Sequence, residues 1–274
     1  MLYETHSHTT LCKHAVGTPD EYAQAALDAG LIGYTITCHN PMPDGFGRHV
    51  RMAPEEFEDY VALVRGTQAR WKGRLDVRLG LECDFFPGYE EWLAEQTASE
   101  DFDYILGSVH PQLAEFRDAF WTGDPVAFQR SYFLQLAMAA ESNLFDCISH
   151  HDLVKHDSPR DWRPGERLDD IRPALDRIAA TGCAMELNTS GAYKRVPEMN
   201  PFPEMLCEIE SRGIPIVIGA DAHEPGRVGD DFVAALDLLT ECGFASVSYF
   251  LDRERQDVAI DAARASLAAV QAAS

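Results

Sequence analysis

Three features of the chain predict a closed α/β barrel built on a parallel sheet. Short apolar runs alternate with longer amphipathic patterns seven times, the order that gives parallel strands with helices across their faces. Nearly every run ends in a histidine, glutamate or aspartate. A closed ring brings such strand ends to one face, whereas an open sheet would leave the outermost too far apart.

The strands are expected at residues 2–5, 32–38, 75–83, 104–109, 144–149, 184–187 and 214–218. The first helix, 18–29, opens on Thr18-Pro19, a hydroxyl cap followed by proline at the first helical position. Helices over 54–71, 126–141, 167–180, 203–212 and 230–242 follow, with Ala, Leu and Val at threes and fours and charge opposite. Gly30, Gly182, Gly213 and Gly243 each stand just past a helix, where a left-handed residue ends it. The stretch 156–166 (HDSPRDWRPGE) is the loop-rich exception, and the alanine-rich end after Asp257 reads as a final amphipathic helix.

The 274 residues, 46% hydrophobic, suit one large barrel domain spanning 1–274. No apolar run reaches the eighteen residues of a membrane span. MLYETHSH enters a strand directly, without a secretory leader. A formal charge of −22 argues against nucleic acid or an anionic membrane as partner. The seven cysteines are scattered with no CxxC pair, so they read as buried free thiols of a reducing cytoplasm.

The chemistry lies at the strand ends. His6 and His8, two apart in an extended chain, point the same way. His14 follows in a loop; His39 closes TITCHNP, Glu82 closes GLECDF, His110 closes ILGSVH and His150 closes FDCISH. Asp221 and His223 form a second i, i+2 pair in IGADAH. Nine nitrogen and oxygen ligands without a thiolate suit Zn, Fe or Mn over Ca or Mg. They are too many for one ion and generous for two, so three divalent ions is the natural count. Cys38 and Cys83, beside ligands, should face the opposite side as apolar filler.

The phrases HSHTTLCKHAVGTPDEY, TITCHNPMP, GLECDF, GSVH, SHHDLVK, ELNTSG and GIPIVIGADAH resemble the PHP (polymerase and histidinol phosphatase) family, its histidinol-phosphatase branch above all, over residues 3–240. The resemblance implies a distorted (β/α)7, TIM-like barrel with a trinuclear metal site at the C-terminal strand ends. One ion would take His6, His8, Glu82 and Asp221, a second Glu82, His110 and His150, and the third His14, His39 and His223. The implied activity is that of a metal-dependent phosphomonoesterase acting on a small phosphate ester, L-histidinol phosphate first, in histidine biosynthesis. The chain departs from the branch in two substrate-facing loops. PQLAEF follows GSVH in place of the acidic and aromatic run expected there, and Ala192-Tyr193 displaces the basic residue after ELNTSG.

Such a site would attack phosphorus directly with a metal-bridging hydroxide. Asp221 could accept the water's proton, and His151 and Asp152 are candidates to protonate or orient the leaving alkoxide. Cations for the phosphate are sought in Arg160 first, then Arg195, with Lys194, Arg227, Arg51 and Lys155; Asn188 and Ser190 could donate to water or substrate. Two other readings keep the metals: a PHP phosphoesterase for a nucleotide, sugar or cyclic phosphate, and an amidohydrolase-type C–N hydrolase. The latter usually has two metals and a carbamylated lysine, and no lysine here ends an inner strand.

Overall fold

The computed structural model describes residues 1–271. Its strands are β1 (Tyr3–Glu4), β2 (Gly33–Ile36), β3 (Asp76–Asp84), β4 (Tyr104–Ser108), β5 (Cys147–Ile148), β6 (Ala184–Asn188), β7 (Ile216–Gly219), β8 (Ser246–Leu251) and β9 (Glu254–Ala259). The helices are α1 (Pro19–Asp28), α2 (Phe57–Trp71), α3 (Glu90–Thr97), α4 (Ala114–Phe120), α5 (Pro125–Glu141), α6 (Pro164–Thr181), α7 (Pro203–Ser211), α8 (Phe232–Cys242) and α9 (Ile260–Gln271). Among the described residues, no helix is long and apolar enough to cross a membrane.

The strands form one sheet in chain order, parallel from β1 to β8, with β9 antiparallel on β8. Beyond its strand ends the sheet curls closed. Ser7 bridges Ala222, with His8 N donating to Ala222 O at 2.9 Å and Ala222 N donating to His6 O at 3.0 Å. The chain after β7 therefore meets the chain after β1, while within β7 Val217 pairs with Ser248 of β8. That split closure is the distortion of the seven-stranded TIM-like barrel.

Local signals explain the helices. Thr18 and Glu21 form a reciprocal capping box, with Glu21 N to Thr18 Oγ1 at 3.3 Å and Thr18 N to Glu21 Oε2 at 2.6 Å. Gly182 ends α6 at φ 77°, a left-handed conformation that glycine adopts without a Cβ penalty. Four elements lie beyond the expected ones. The helices α3 and α4 are only 8 and 7 residues long, too short for a clear period. The β8–β9 hairpin turns through Asp252 (φ 50°) and Arg253 (φ 64°), without the Asn-Gly that usually marks such a turn. Charge along ERQDVA hides the outer strand.

The thiols need one correction. Cys207 of α7 and Cys242 of α8 are bonded to each other, S–S 2.03 Å, so the seven are not all free. Facing positions on neighbouring helices bring them together across 35 residues, which spacing alone could not reveal. Cys12, Cys38, Cys83, Cys147 and Cys183 are free and buried. Cys83 fits the expected filler, but Cys38 does not: its Sγ accepts Thr9 N at 3.4 Å and Thr9 Oγ1 at 3.2 Å and stands against His8, on the side of the histidine cluster.

Candidate metal centre

Strand alternation builds the site. Tyr104 and Leu106, Cys147, Ala184 and Val217 form a buried cluster low on the sheet. Continuing each series by twos leads up to Ser108 and His110, to Glu186 and Asn188, and to Gly219 and Asp221. Register levels the neighbouring chains: His39 bridges Glu82, and Glu82 pairs with Leu106. Two positions break the ordinary backbone. His150 has φ 21° and Asp221 φ 50°. His150 is out of step with Cys147 and Ser149, so the turn there re-aims its side chain. Backbone held in this sparsely populated region clusters at functional sites.

Glu82 is the centre of the arrangement. Its Oε2 lies 2.7 Å from His39 Nδ1, 3.5 Å from His6 Nε2 and 3.6 Å from His8 Nε2. Its Oε1 lies 3.3 Å from His150 Nε2 and 3.6 Å from His110 Nε2. Asp221 Oδ1 stands 3.2 Å from His8 Nε2, 3.6 Å from His6 Nε2 and 3.4 Å from His223 Nδ1. The His223 ring stacks 4.0 Å from His8 and 4.4 Å from His14. All nine expected ligands thus gather at one end of the barrel.

The donor set fits cations. His6 Nε2, His39 Nδ1, His223 Nε2 and Glu82 Oε2 are buried without a hydrogen-bond partner. His39 Nδ1 and Glu82 Oε2 lie close without aligning as a hydrogen bond; in the tautomer protonated at Nε2, both present lone pairs to the same space. Unpaired buried polar atoms are costly, and four in one cluster call for a shared charge. Two subsets with ligating atoms within 4.8 Å of one another are His6, His8 and Asp221, and His8, His39 and His223.

Electrostatics agree. Burial opposes charge on His6, but Glu186, Asp221 and Glu82 outweigh it and hold its pKa well above the ordinary value. Burial likewise opposes charge on His8, and Asp221, Cys38 and Glu82 reverse that, to about 9. The carboxylates demand positive charge. Burial, reinforced by His8, lowers His39 to about 4 and His223 to about 2 despite their acidic neighbours, leaving neutral imidazoles whose lone pairs can ligate. Burial would raise Glu82 and Asp221, yet the histidines, with Lys194 beside Asp221, keep both carboxyls well below their usual range.

A supporting layer escaped the sequence reading. Glu186 Oε1 holds His6 Nδ1 at 2.7 Å, and its Oε2 accepts His150 N at 3.0 Å and Asn188 Nδ2 at 2.9 Å. Asp84 Oδ1 holds His110 Nδ1 at 2.5 Å. Glu4 accepts the backbone N–H groups of His6, Ala220 and Gly229 at 3.1, 2.9 and 2.8 Å, tying β1 to the loop after β7. Each stands two residues from a site residue in the same strand or just beyond its end, and that spacing was the available signal.

Several other expectations are corrected. His151 is fully buried behind the site, its Nε2 accepting Glu186 N at 3.2 Å, and burial lowers it to about 3; it cannot reach a leaving group. Asp152 Oδ2 accepts Lys155 Nζ at 3.0 Å and Phe202 N at 2.9 Å. Lys155 also donates to Met199 O at 2.9 Å and, like Asp152, is 0% exposed. The pair clamps two loops. Arg51 borders the cleft, as expected, but is 1% exposed, grips Asp84 and donates to Asn40 O at 3.1 Å, so it braces His110 through Asp84. Arg160 is exposed on a separate groove. Arg227 lies 3.3 Å over the Tyr193 ring and pairs with Asp230 at 3.1 Å, outside the cleft lining.

Lys194, Arg195 and Ser190 do line the cleft of about 860 Å³ that opens above the cluster. Lys194 Nζ lies 3.4 Å from Asp221 Oδ2, and Ser190 Oγ lies 3.0 Å from the same oxygen. Asn188 Oδ1 accepts Ser190 N at 3.0 Å and so shapes the turn rather than facing the cleft. In the segment after His110, Phe116 is core and Glu115 Oε1 accepts Gly47 N at 3.0 Å.

Fold and site together define a barrel hydrolase whose cleft opens above a cluster of histidines and carboxylates fit to bind divalent metal. The PHP domain matches residues 4–190, and the chain belongs to that family. A Deinococcus radiodurans protein named "Probable histidinol-phosphatase" is 42% identical over 254 residues, covering 90% of this chain and 96% of its own. The Bacillus subtilis "Histidinol-phosphatase" is 26% identical, with 85% and 97% covered. The crystal structure of a Lactococcus lactis histidinol phosphate phosphatase, complexed with Zn, L-histidinol and phosphate, superposes at TM-score 0.76 and 19% identity. It covers 93% of this chain and 98% of that one, and establishes likeness of fold.

Proposed function

We propose that this protein is a metal-dependent phosphomonoesterase that hydrolyses L-histidinol phosphate to L-histidinol and phosphate in the histidine biosynthesis of the cytoplasm, residues 1–274 acting as one barrel domain. The observation that carries the reading is the convergence of His6, His8, His14, His39, Glu82, His110, His150, Asp221 and His223, with buried lone pairs facing one another. Identity of 42% across nearly the whole of a histidinol-phosphatase relative supports the substrate.

Three divalent ions suit these nine ligands, grouped as His6, His8, Glu82 and Asp221; Glu82, His110 and His150; and His14, His39 and His223. When bound, the ions supply Lewis acidity toward phosphoryl oxygens and lower the pKa of water. The chain's residues do the rest. Asp221, kept ionised by its neighbours, lines the cleft, where it would accept a hydrogen bond from the attacking water and take its proton. Lys194 and Arg195 line the wall where phosphoryl oxygens would project. Glu186 and Asp84 hold the Nδ1 atoms of His6 and His110, so that each Nε2 turns toward Glu82.

Metal content of the purified protein, with phosphate release from L-histidinol phosphate, tests this reading. About three ions per chain with rapid release is the expected result. Little metal, with no activity restored by Zn, Mn or Fe, would overturn it.

A further inference from the structure

Among the described residues lining the cleft, the carboxylates are Asp221, which belongs to the histidine cluster, and Asp157, which does not. Asp157 follows the short 3-10 turn Leu153–His156, and its N–H donates to Val154 O at 3.1 Å. Its side chain is 14% exposed. Arg117 NH1 holds Oδ1 at 3.0 Å, while the guanidinium packs 5.4 Å from the Trp121 ring and 5.6 Å from Phe128. The carboxylate is thereby fixed at one oxygen, while Oδ2 accepts no hydrogen bond among the described residues, and the residue lines the cleft. Of the cations that line the cleft, Lys194 faces Asp221, Arg51 is held by Asp84, and Arg195, exposed and near Asp157, is directed to His156 O at 3.4 Å. Glu115, the acid of the segment after His110, is tied to Gly47 N and does not line the cleft.

We infer that Asp157 makes the site selective for phosphate esters whose alcohol carries an amine, its Oδ2 receiving the substrate ammonium while the phosphoryl group lies at the histidine cluster. The inference rests on the phosphatase reading above and names the residue that recognises the leaving group. A half-buried carboxylate already held in place by one partner pairs with an ammonium at little ordering cost. Asp157 also borders a separate groove of about 260 Å³, where Trp121, Pro125 and Phe128 stand with Arg117, Arg160 and Asp161.

The test compares three substrates in the metal-loaded enzyme: L-histidinol phosphate, its counterpart without the amine, 3-(imidazol-4-yl)propyl phosphate, and p-nitrophenyl phosphate. Asp157→Asn should lose about ten- to a hundredfold in kcat/KM on histidinol phosphate, mostly through KM, the range of one hydrogen bond to a charged group. Turnover of the two amine-free esters should be unchanged, which also reports an intact fold. Asp157→Glu should recover part of the preference. In wild type, L-histidinol should inhibit at least about tenfold more tightly than the amine-free alcohol, a readout independent of any variant. Equal loss on all three esters, or no loss, overturns the assignment. Wild type that hydrolyses both imidazole esters equally well keeps the phosphatase reading and removes Asp157 alone. Wild type active only on p-nitrophenyl phosphate removes the histidinol reading and Asp157 with it.

Discussion

His6 Nδ1 lies 2.7 Å from Glu186 Oε1, and that contact decides which face of the imidazole is offered to the cluster. With Nδ1 donating to the carboxylate, Nε2 is the atom that points toward Glu82 and Asp221 and would give its lone pair to a cation in exchange for a proton. Glu186 also accepts His150 N, so one carboxylate orients two expected ligands. Glu186→Gln should therefore weaken metal binding by about 10- to 100-fold, the usual cost of removing such a partner. Metal titration of the chelator-treated variant checks this, and unchanged affinity would show that the ring is held by packing alone.

Glu82 should be less replaceable. Both oxygens face histidines, and the amide of Glu82→Gln can present only one acceptor. Loss of at least about a hundredfold in kcat/KM is expected, together with fewer bound ions per chain. Mass spectrometry of the native protein counts the ions. A variant with full metal content and normal kinetics would remove Glu82 from the centre.

Lys155 separates structure from catalysis. Buried against Asp152 and two backbone carbonyls, it leaves an uncompensated charge behind if truncated. Lys155→Met should cost about 3–5 kcal/mol of stability. The folded fraction should keep a wild-type KM. A large rise in KM without loss of Tm would restore Lys155 to the phosphate site.

How far the chain could be read in advance follows from which residues signal by spacing. Strand order, the main helices and the nine converging ligands were legible because apolar runs end in ligand-type side chains. Glu4, Asp84 and Glu186 were legible in principle by the same rule of twos, yet as single carboxylates they resemble surface charge. The cations were legible only in part: Lys194 and Arg195 line the cleft as expected, but the order of preference among the candidates did not hold. Arg51 and Lys155 look like loop residues in sequence, and only tertiary packing shows them paired with Asp84 and Asp152. Arg160 lies within the longest polar loop, but that loop carries it past the cleft to a neighbouring groove.

The displaced basic residue after ELNTSG gives a direct comparison. Lys194 lines the cleft 3.4 Å from Asp221 Oδ2, whereas Arg160 is exposed elsewhere. Lys194→Ala should lower kcat/KM about tenfold or more on every phosphate ester, whatever its alcohol, since a charged hydrogen bond is lost. Arg160→Ala should change nothing beyond error. Steady-state kinetics of the two variants decide between them, and the reverse pattern would refute this placement of the phosphate.

His156 gives the fold a pH dependence whose sign can be worked out. Its Nδ1 accepts Val196 N at 3.3 Å, and burial, aided by Lys155 and Lys194, lowers its pKa from 6.5 to about 3. The folded state therefore keeps the ring neutral where the unfolded chain protonates it. The resulting stability is fully present above pH 6.5 and drains away as pH falls toward about 3. In chelator-treated protein, where ligand titration is common to both forms, wild type should lose Tm more steeply than His156→Asn between pH 6.5 and 4. The asparagine retains an acceptor for Val196 N–H but does not titrate. Imidazole NMR shifts give the direct reading: His156 should stay neutral through pH 5, and a midpoint near 6.5, or parallel Tm curves, would show that the ring is not the buried neutral group that the 194–199 loop closes over.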